Sequence, residues 1–163
     1  MRNIRCRLSI SIIDPVVMSQ RHPIQHGCIM LVTTVTKNRY SYFSNDTLAR
    51  ETVEAIYRTQ TVHTFFLFGF VIMPDHCHLL LHVPPPEKIS TVIKSYKSSV
   101  SFGVARGVLW QPRFHIRIVQ EPWRALRYIH ENPVKEHLVT NSQAYRWSSA
   151  SRLWDITELA DVM

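Results

Sequence analysis

Several things are scarce in this chain, and each absence narrows what it can be. Its 163 residues hold three cysteines, Cys6, Cys28 and Cys77, and no Cys-x-x-Cys pair. That excludes a thiolate zinc ribbon, which needs such pairs. Glycine is rare, four residues against nine prolines, and no tract repeats. Collagen-like, linker-like and solenoid architectures are therefore excluded. No apolar run reaches the ~18 residues of a membrane helix, and the apolar stretch 64–73 is short enough for a buried strand. Arg2, Arg5 and Arg7 precede an apolar patch, but Ser9, Ser11 and Asp14 interrupt it and no small-residue cleavage site follows. That is unlike a secretory leader, so the chain reads as cytoplasmic, with no membrane partner.

The most telling absence is acid. From Lys88 to Gln120 there is no Asp or Glu, against six cations: Lys88, Lys94, Lys97, Arg106, Arg113 and Arg117. The whole chain has 19 Lys+Arg against 12 Asp+Glu, a net charge of +7. Such an imbalance suits a polyanion. Interleaved serines and the rings of Tyr96, Phe102, Trp110 and Phe114 add groups that bind phosphate and stack on unpaired bases. The plainer reading is a solvated helix face backed by core aromatics, and Tyr96 and Phe114 do fall on apolar stripes.

Hydrophobic residues make up 45 % of the chain, enough for one packed domain. Residues 1–26, with Pro15, Pro23, His22 and His26, show no sustained period and read as an appendage. The domain is expected over 27–150, followed by a tail, 151–163. Val, Ile and Thr enrichment predicts a strand over 28–36. Asn45 or Asp46 caps a helix running to about Gln60, with Ala49, Val53, Ile56 and Tyr57 on its apolar stripe. Strands follow over 64–73 and 76–83, joined only by Pro74 and Asp75, which suits a hairpin. A helical stripe (Ile89, Val92, Ile93, Tyr96, Val100, Val104) covers about 87–106. Strict alternation over 113–119 predicts a strand with Phe114, Ile116 and Ile118 inside and Arg113, His115 and Arg117 outside. Pro122 opens a last helix and Pro133 marks its end. The order is βαββαβ with an extra C-terminal helix: an α+β, ferredoxin-like antiparallel sheet with helices on one face and the other face open.

Two constellations carry chemistry. His76 and His78 alternate on a strand, so both imidazoles point to one face, close enough to share a cation. His82 shares that face further along, while Cys77, Leu79, Leu81 and Val83 point to the core. Two ordinary exposed histidines is the competing reading. On the last helix Ala125, Leu126 and Ile129 form the apolar stripe, and Tyr128 falls off it, one turn from Arg124 and from Asn132. A phenol beside an arginine and an amide could attack phosphorus; a tyrosine at the edge of the core is the alternative.

Taken in order, GFVIMPDHCHLLLHV at 69–83, LWQPRF at 109–114, RYIHENPVK at 127–135 and WSS at 147–149 resemble the single-tyrosine transposases of the His–hydrophobe–His class. The likeness is greatest to the branch associated with repetitive extragenic palindromes, and it covers about residues 28–150. The resemblance implies a transposase-like enzyme that binds single-stranded or hairpin DNA. It implies that His76 and His78 hold Mg2+ or Mn2+. Tyr128 would attack the phosphodiester, form a 5′-phosphotyrosine and later allow the strands to be rejoined. Asn132 would be a third ligand or positioning group. Phosphate contacts are expected from Lys94, Lys97, Arg106, Arg113, Arg117 and Arg124, in a monomer or homodimer. A free phenol, with pKa ~10, is a poor nucleophile at neutral pH, so a cation at the phosphate makes chemical sense. Two departures stand out. The connection HIRIVQEP is a few residues shorter than usual, and His137 stands where the family commonly has Gly. Two other readings remain: a non-catalytic nucleic-acid-binding module or transposase remnant of the same fold, and a small metal-dependent hydrolase using water.

Overall fold

Asn45 begins the first helix as the sequence predicts, its side chain accepting from the Leu48 N–H at 3.1 Å. The computed structural model in which this is seen describes residues 27–104 and 107–161. The appendage 1–26 lies outside the described residues. The elements are β1 (Ile29–Thr36), α1 (Asp46–Val62), β2 (Phe66–Met73), β3 (His76–His82), α2 (Ile89–Gly103), β4 (Trp110–Ile118) and α3 (Pro122–Lys135). The sheet order is β2-β3-β1-β4, and every neighbouring pair is antiparallel. This is the ferredoxin-like α+β arrangement expected.

Alternation along the strands divides the side chains between two faces. Met30, Val32, Phe70, Ile72, Cys77, Leu79 and Leu81 meet the buried stripes of α1 and α2 in one core. Ile29, Leu31, Phe68, Val71, Met73 and Leu80 form a second, smaller core with Ala125 and Ile129 of α3 and with Leu159. A bulge in β2 between Leu67 and Gly69 shifts the register there. The described part of the tail is packed: Trp154 and Ile156 lie on the first core, and the Thr157 N–H donates to the Leu67 carbonyl at 2.7 Å.

Four expectations need correction. The second sheet face is not open, because α3 returns over β2 and closes part of it. Pro133 lies inside α3 rather than at its end; in the last turn the one hydrogen bond that proline cannot donate is readily forgone. α2 stops at Gly103, three residues early, and Arg106 lies outside the described residues. β4 begins at Trp110, three residues early, with Pro112 within it. Proline is tolerated there because β4 pairs only with β1, as an edge strand does.

Candidate active site

The histidine strand lies beside the centre of the sheet, and each imidazole is held by its Nδ1. Asp75, in the β2–β3 turn, sits with Oδ1 at 2.5 Å from His76 Nδ1 and accepts from Arg39 at 2.8 Å through Oδ2. Burial alone would raise the Asp75 carboxyl; hydrogen bonds and charge from His76 and Arg39 outweigh it and hold it below its ordinary value. Thr33, directly opposite His78 on β1, places Oγ1 at 2.8 Å from His78 Nδ1. Both rings therefore keep Nε2 for another partner, the second-sphere arrangement of metal-binding histidines. His78 is 7 % exposed. Burial, then the charges of His76 and Arg117, depress it to about 3, so its ring is neutral near pH 7 and competent as a ligand.

The two imidazole centroids are 4.9 Å apart, and the Tyr128 ring is 5.8 Å from that of His78. The short β4–α3 connection, residues 119–121, thus still delivers the tyrosine to the pair. Tyr128 is 40 % exposed, and Lys135 Nζ lies 5.1 Å from its ring centroid. Asn132, one turn further, is buried with Nδ2 lacking a hydrogen-bond partner.

Three residues explain how α3 is seated. Gly69 faces it so closely that a Cβ there would lie 2.3 Å from Leu126 Cδ1. Ser149 Oγ accepts from the Phe70 N–H at 3.0 Å and lies 2.8 Å from His130 Nε2. One hydroxyl therefore ties the tyrosine helix to β2. Sequence reasoning assigned no role to Thr33, His130 or Ser149. Ser149 did stand within WSS, but its partner Phe70 is 79 residues away.

The expected cationic patch divides. Arg113, His115 and Arg117 are exposed on the His76/His78 face, since Thr33 pairs with both His78 and His115. Arg124 is exposed on α3, with only a loose 3.8 Å ion pair to Glu121. Lys94 is exposed, but on α2, across the sheet. Lys97, also on α2, does not reach outward. Its ammonium donates to the Gln111 and Pro112 carbonyls at 2.6 and 3.3 Å, and burial lowers its pKa.

Among the described residues no three His, Cys, Asp or Glu side chains gather as a metal group. Two imidazoles with prepared Nε2 atoms nevertheless suit a catalytic cation, which keeps positions open for substrate. The unpartnered Asn132 amide nearby on α3 is chemically compatible with the same role.

A family model described as "Transposase IS200 like" matches residues 24–132. The structure of the REP-associated tyrosine transposase bound to a REP hairpin is similar over 90 % of this chain and 98 % of that one. The TM-score is 0.70 at 20 % identity. A candidate transposase from Deinococcus radiodurans R1 is similar over 74 % of this chain and 95 % of that one, with a TM-score of 0.52 at 19 % identity. At such identities the likeness is one of fold. No curated protein matches the chain.

Proposed function

The chain belongs to the IS200-like transposase family, and from that premise we propose that it nicks and rejoins single-stranded or hairpin DNA through Tyr128. The carrying observation is the meeting of three rings from two elements, His76 and His78 of β3 with Tyr128 of α3. In this reading the Tyr128 oxygen attacks the phosphorus. A tyrosine–phosphate bond forms to the 5′ side, the phenolic proton passes to solvent, and the 3′ oxygen leaves as a hydroxyl. Attack by a 3′-hydroxyl reverses the step and regenerates tyrosine, so joining needs no ATP. His76, His78 and Asn132 would hold Mg2+ or Mn2+, which when bound supplies charge neutralisation at the phosphate. Asp75 and Thr33 fix the two imidazoles, and Ser149 with His130 fixes the helix. Lys135 places positive charge against the phenol ring, and Arg113, Arg117 and Arg124 hold the flanking phosphates.

The alternatives lack what they need. A stacking module requires aromatic planes on the central strands, and β1 and β3 carry no Phe, Tyr or Trp. A water-using hydrolase requires carboxylates, and Asp75 is already engaged by Arg39 and His76. The test is a denaturing gel after incubation with hairpin DNA and Mg2+ or Mn2+. The unmodified chain is expected to give a covalent adduct. Tyr128→Phe is expected to bind DNA and give none, and His76→Ala to give none. An adduct persisting in Tyr128→Phe overturns the assignment.

A further inference from the structure

A cavity of about 520 Å3 lies at the start of the tyrosine helix, away from the histidine pair. Gln120, Glu121, Pro122, Trp123, Arg124 and Arg127 line it. Trp123 is 52 % exposed, whereas Trp110 and Trp147 are 5 % and 7 % exposed. Leaving an indole half in water forgoes much of the stabilisation its burial would bring. Two guanidinium groups flank it. Arg124 has only its loose contact to Glu121, and Arg127 has no carboxylate partner among the described residues. Gln120 and Glu121 add an amide and a carboxylate. A carboxylate repels phosphate but accepts hydrogen bonds from the amino group of a base. An aromatic plane, two phosphate-binding forks and acceptors for a base edge together match an unpaired nucleotide.

We propose that Trp123 is the stacking platform of a nucleotide subsite. It takes one unpaired base, with Arg124 and Arg127 on the adjoining phosphates and Glu121 against an amino-bearing edge. This rests on the DNA-cleavage reading and adds to it a site that selects which phosphate is cut. Helix geometry locates the base. Trp123 precedes Tyr128 by five residues, ~7.5 Å along the axis. The same five residues turn the indole ~140° around the axis from the phenol. Trp123 and Tyr128 stand at the two edges of the exposed side of α3, with Arg124 and Arg127 exposed between them and Ala125 and Ile129 buried opposite. A strand that crosses this exposed side of α3, along Arg124 and Arg127, to reach Tyr128 meets the indole several nucleotides from the attacked phosphate.

The test uses the full chain and hairpin DNA with a single-stranded extension, along which an abasic nucleotide is walked. Trp123→Ala is expected to bind the intact strand about 5- to 100-fold more weakly. Trp123→Phe, which keeps a plane, is expected to recover most of that. An abasic nucleotide at one position several nucleotides from the cut should weaken the unmodified chain by a similar factor and Trp123→Ala no further. Elsewhere on the extension it should weaken both proteins equally. Unchanged binding by Trp123→Ala, or a loss that stays the same wherever the abasic nucleotide stands, overturns the subsite. The Tyr128 adduct separates the two readings. An adduct formed by a chain whose binding ignores Trp123→Ala removes the subsite alone; no binding of any single strand by the unmodified chain removes both. Trp123 is exposed, so an unchanged melting temperature in Trp123→Ala ties the loss to the strand and not to unfolding.

Discussion

The two faces of the sheet are built from the same four strands and do opposite work. Cys77 and its neighbour His78 show it best. Cys77 points to the α1/α2 face, is 0 % exposed, and burial pushes its thiol up to about 12. His78 points to the α3 face, and burial drives its imidazole down to about 3. The same desolvation makes one group an inert apolar filler and the other a neutral nitrogen base. What separates them is what surrounds each. The α1/α2 face is closed by apolar stripes from two helices. On the α3 face, Thr33, Asp75 and Ser149 place hydrogen bonds on His78, His76 and the tyrosine helix. The polar groups of Thr33, Asp75 and Ser149 are tolerated there because each finds a partner.

The contrast predicts that stability and chemistry can be damaged separately. Tyr128→Phe removes one hydroxyl from a half-exposed ring. It is expected to abolish the DNA adduct while changing unfolding free energy by less than ~0.5 kcal/mol. Leu79→Ala, on the closed face, is expected to cost ~2–5 kcal/mol in urea unfolding. The molecules that remain folded should still form adduct. Adduct loss in folded Leu79→Ala would show that the two faces are not independent.

Ser149→Ala tests the tie between them. It strands the buried Phe70 N–H and removes the partner of His130 Nε2. The expected cost is ~1–3 kcal/mol of stability. The adduct rate per folded molecule should also fall, because the helix bearing Tyr128 loses its anchor. A stability loss with an unchanged rate would make Ser149 a purely structural residue.

Charge sharpens the contrast further. Arg117 lies on the histidine face and Lys97 on the helix side, bound to backbone carbonyls. Arg117→Ala is expected to reduce the slope of log affinity against log salt by ~0.7 for single-stranded DNA. Lys97→Ala is expected to leave the slope unchanged while loosening the contact between α2 and β4. Equal slopes in both variants would restore the continuous patch that the sequence implied.

Element order, the two apolar stripes of α1 and α2, and the pairing of His76 with His78 on one face were all legible, because periodicity reports them directly. The placement of α3 was not. An amphipathic helix declares that it has an apolar side, not which face of a sheet it will cover. Nor was the division of the cations. Residues 88–117 are continuous in sequence, but the turn from α2 into β4 carries them from one face to the other. Lys97 is then captured by carbonyls 14 and 15 positions further along. Thr33 and Ser149 escaped notice for a related reason. A single hydroxyl has no period, and its partner lies 45 or 79 residues away.

The smallest expected effect lies at the end of the tyrosine helix, at His137. His137 has φ 56°, in the left-handed region. Its N–H donates to the Val134 carbonyl at 3.0 Å, and the Leu138 N–H donates to the Pro133 carbonyl at 2.9 Å. These two bonds close α3 in the Schellman pattern, which asks for a left-handed residue at this position. An L side chain there costs ~1–2 kcal/mol, while glycine costs ~0.4–1 kcal/mol through the freer unfolded chain. His137→Gly is therefore expected to raise stability by ~0.5 kcal/mol, read as a shift in the urea midpoint at constant slope. His137→Ala keeps the Cβ and should gain nothing. Both variants should form adduct at the unmodified rate, because the helix end is closed by the same two bonds in each. A His137→Gly chain less stable than the unmodified one would mean that the imidazole makes a compensating contact. The left-handed turn would then cease to be a point of strain on the functional face.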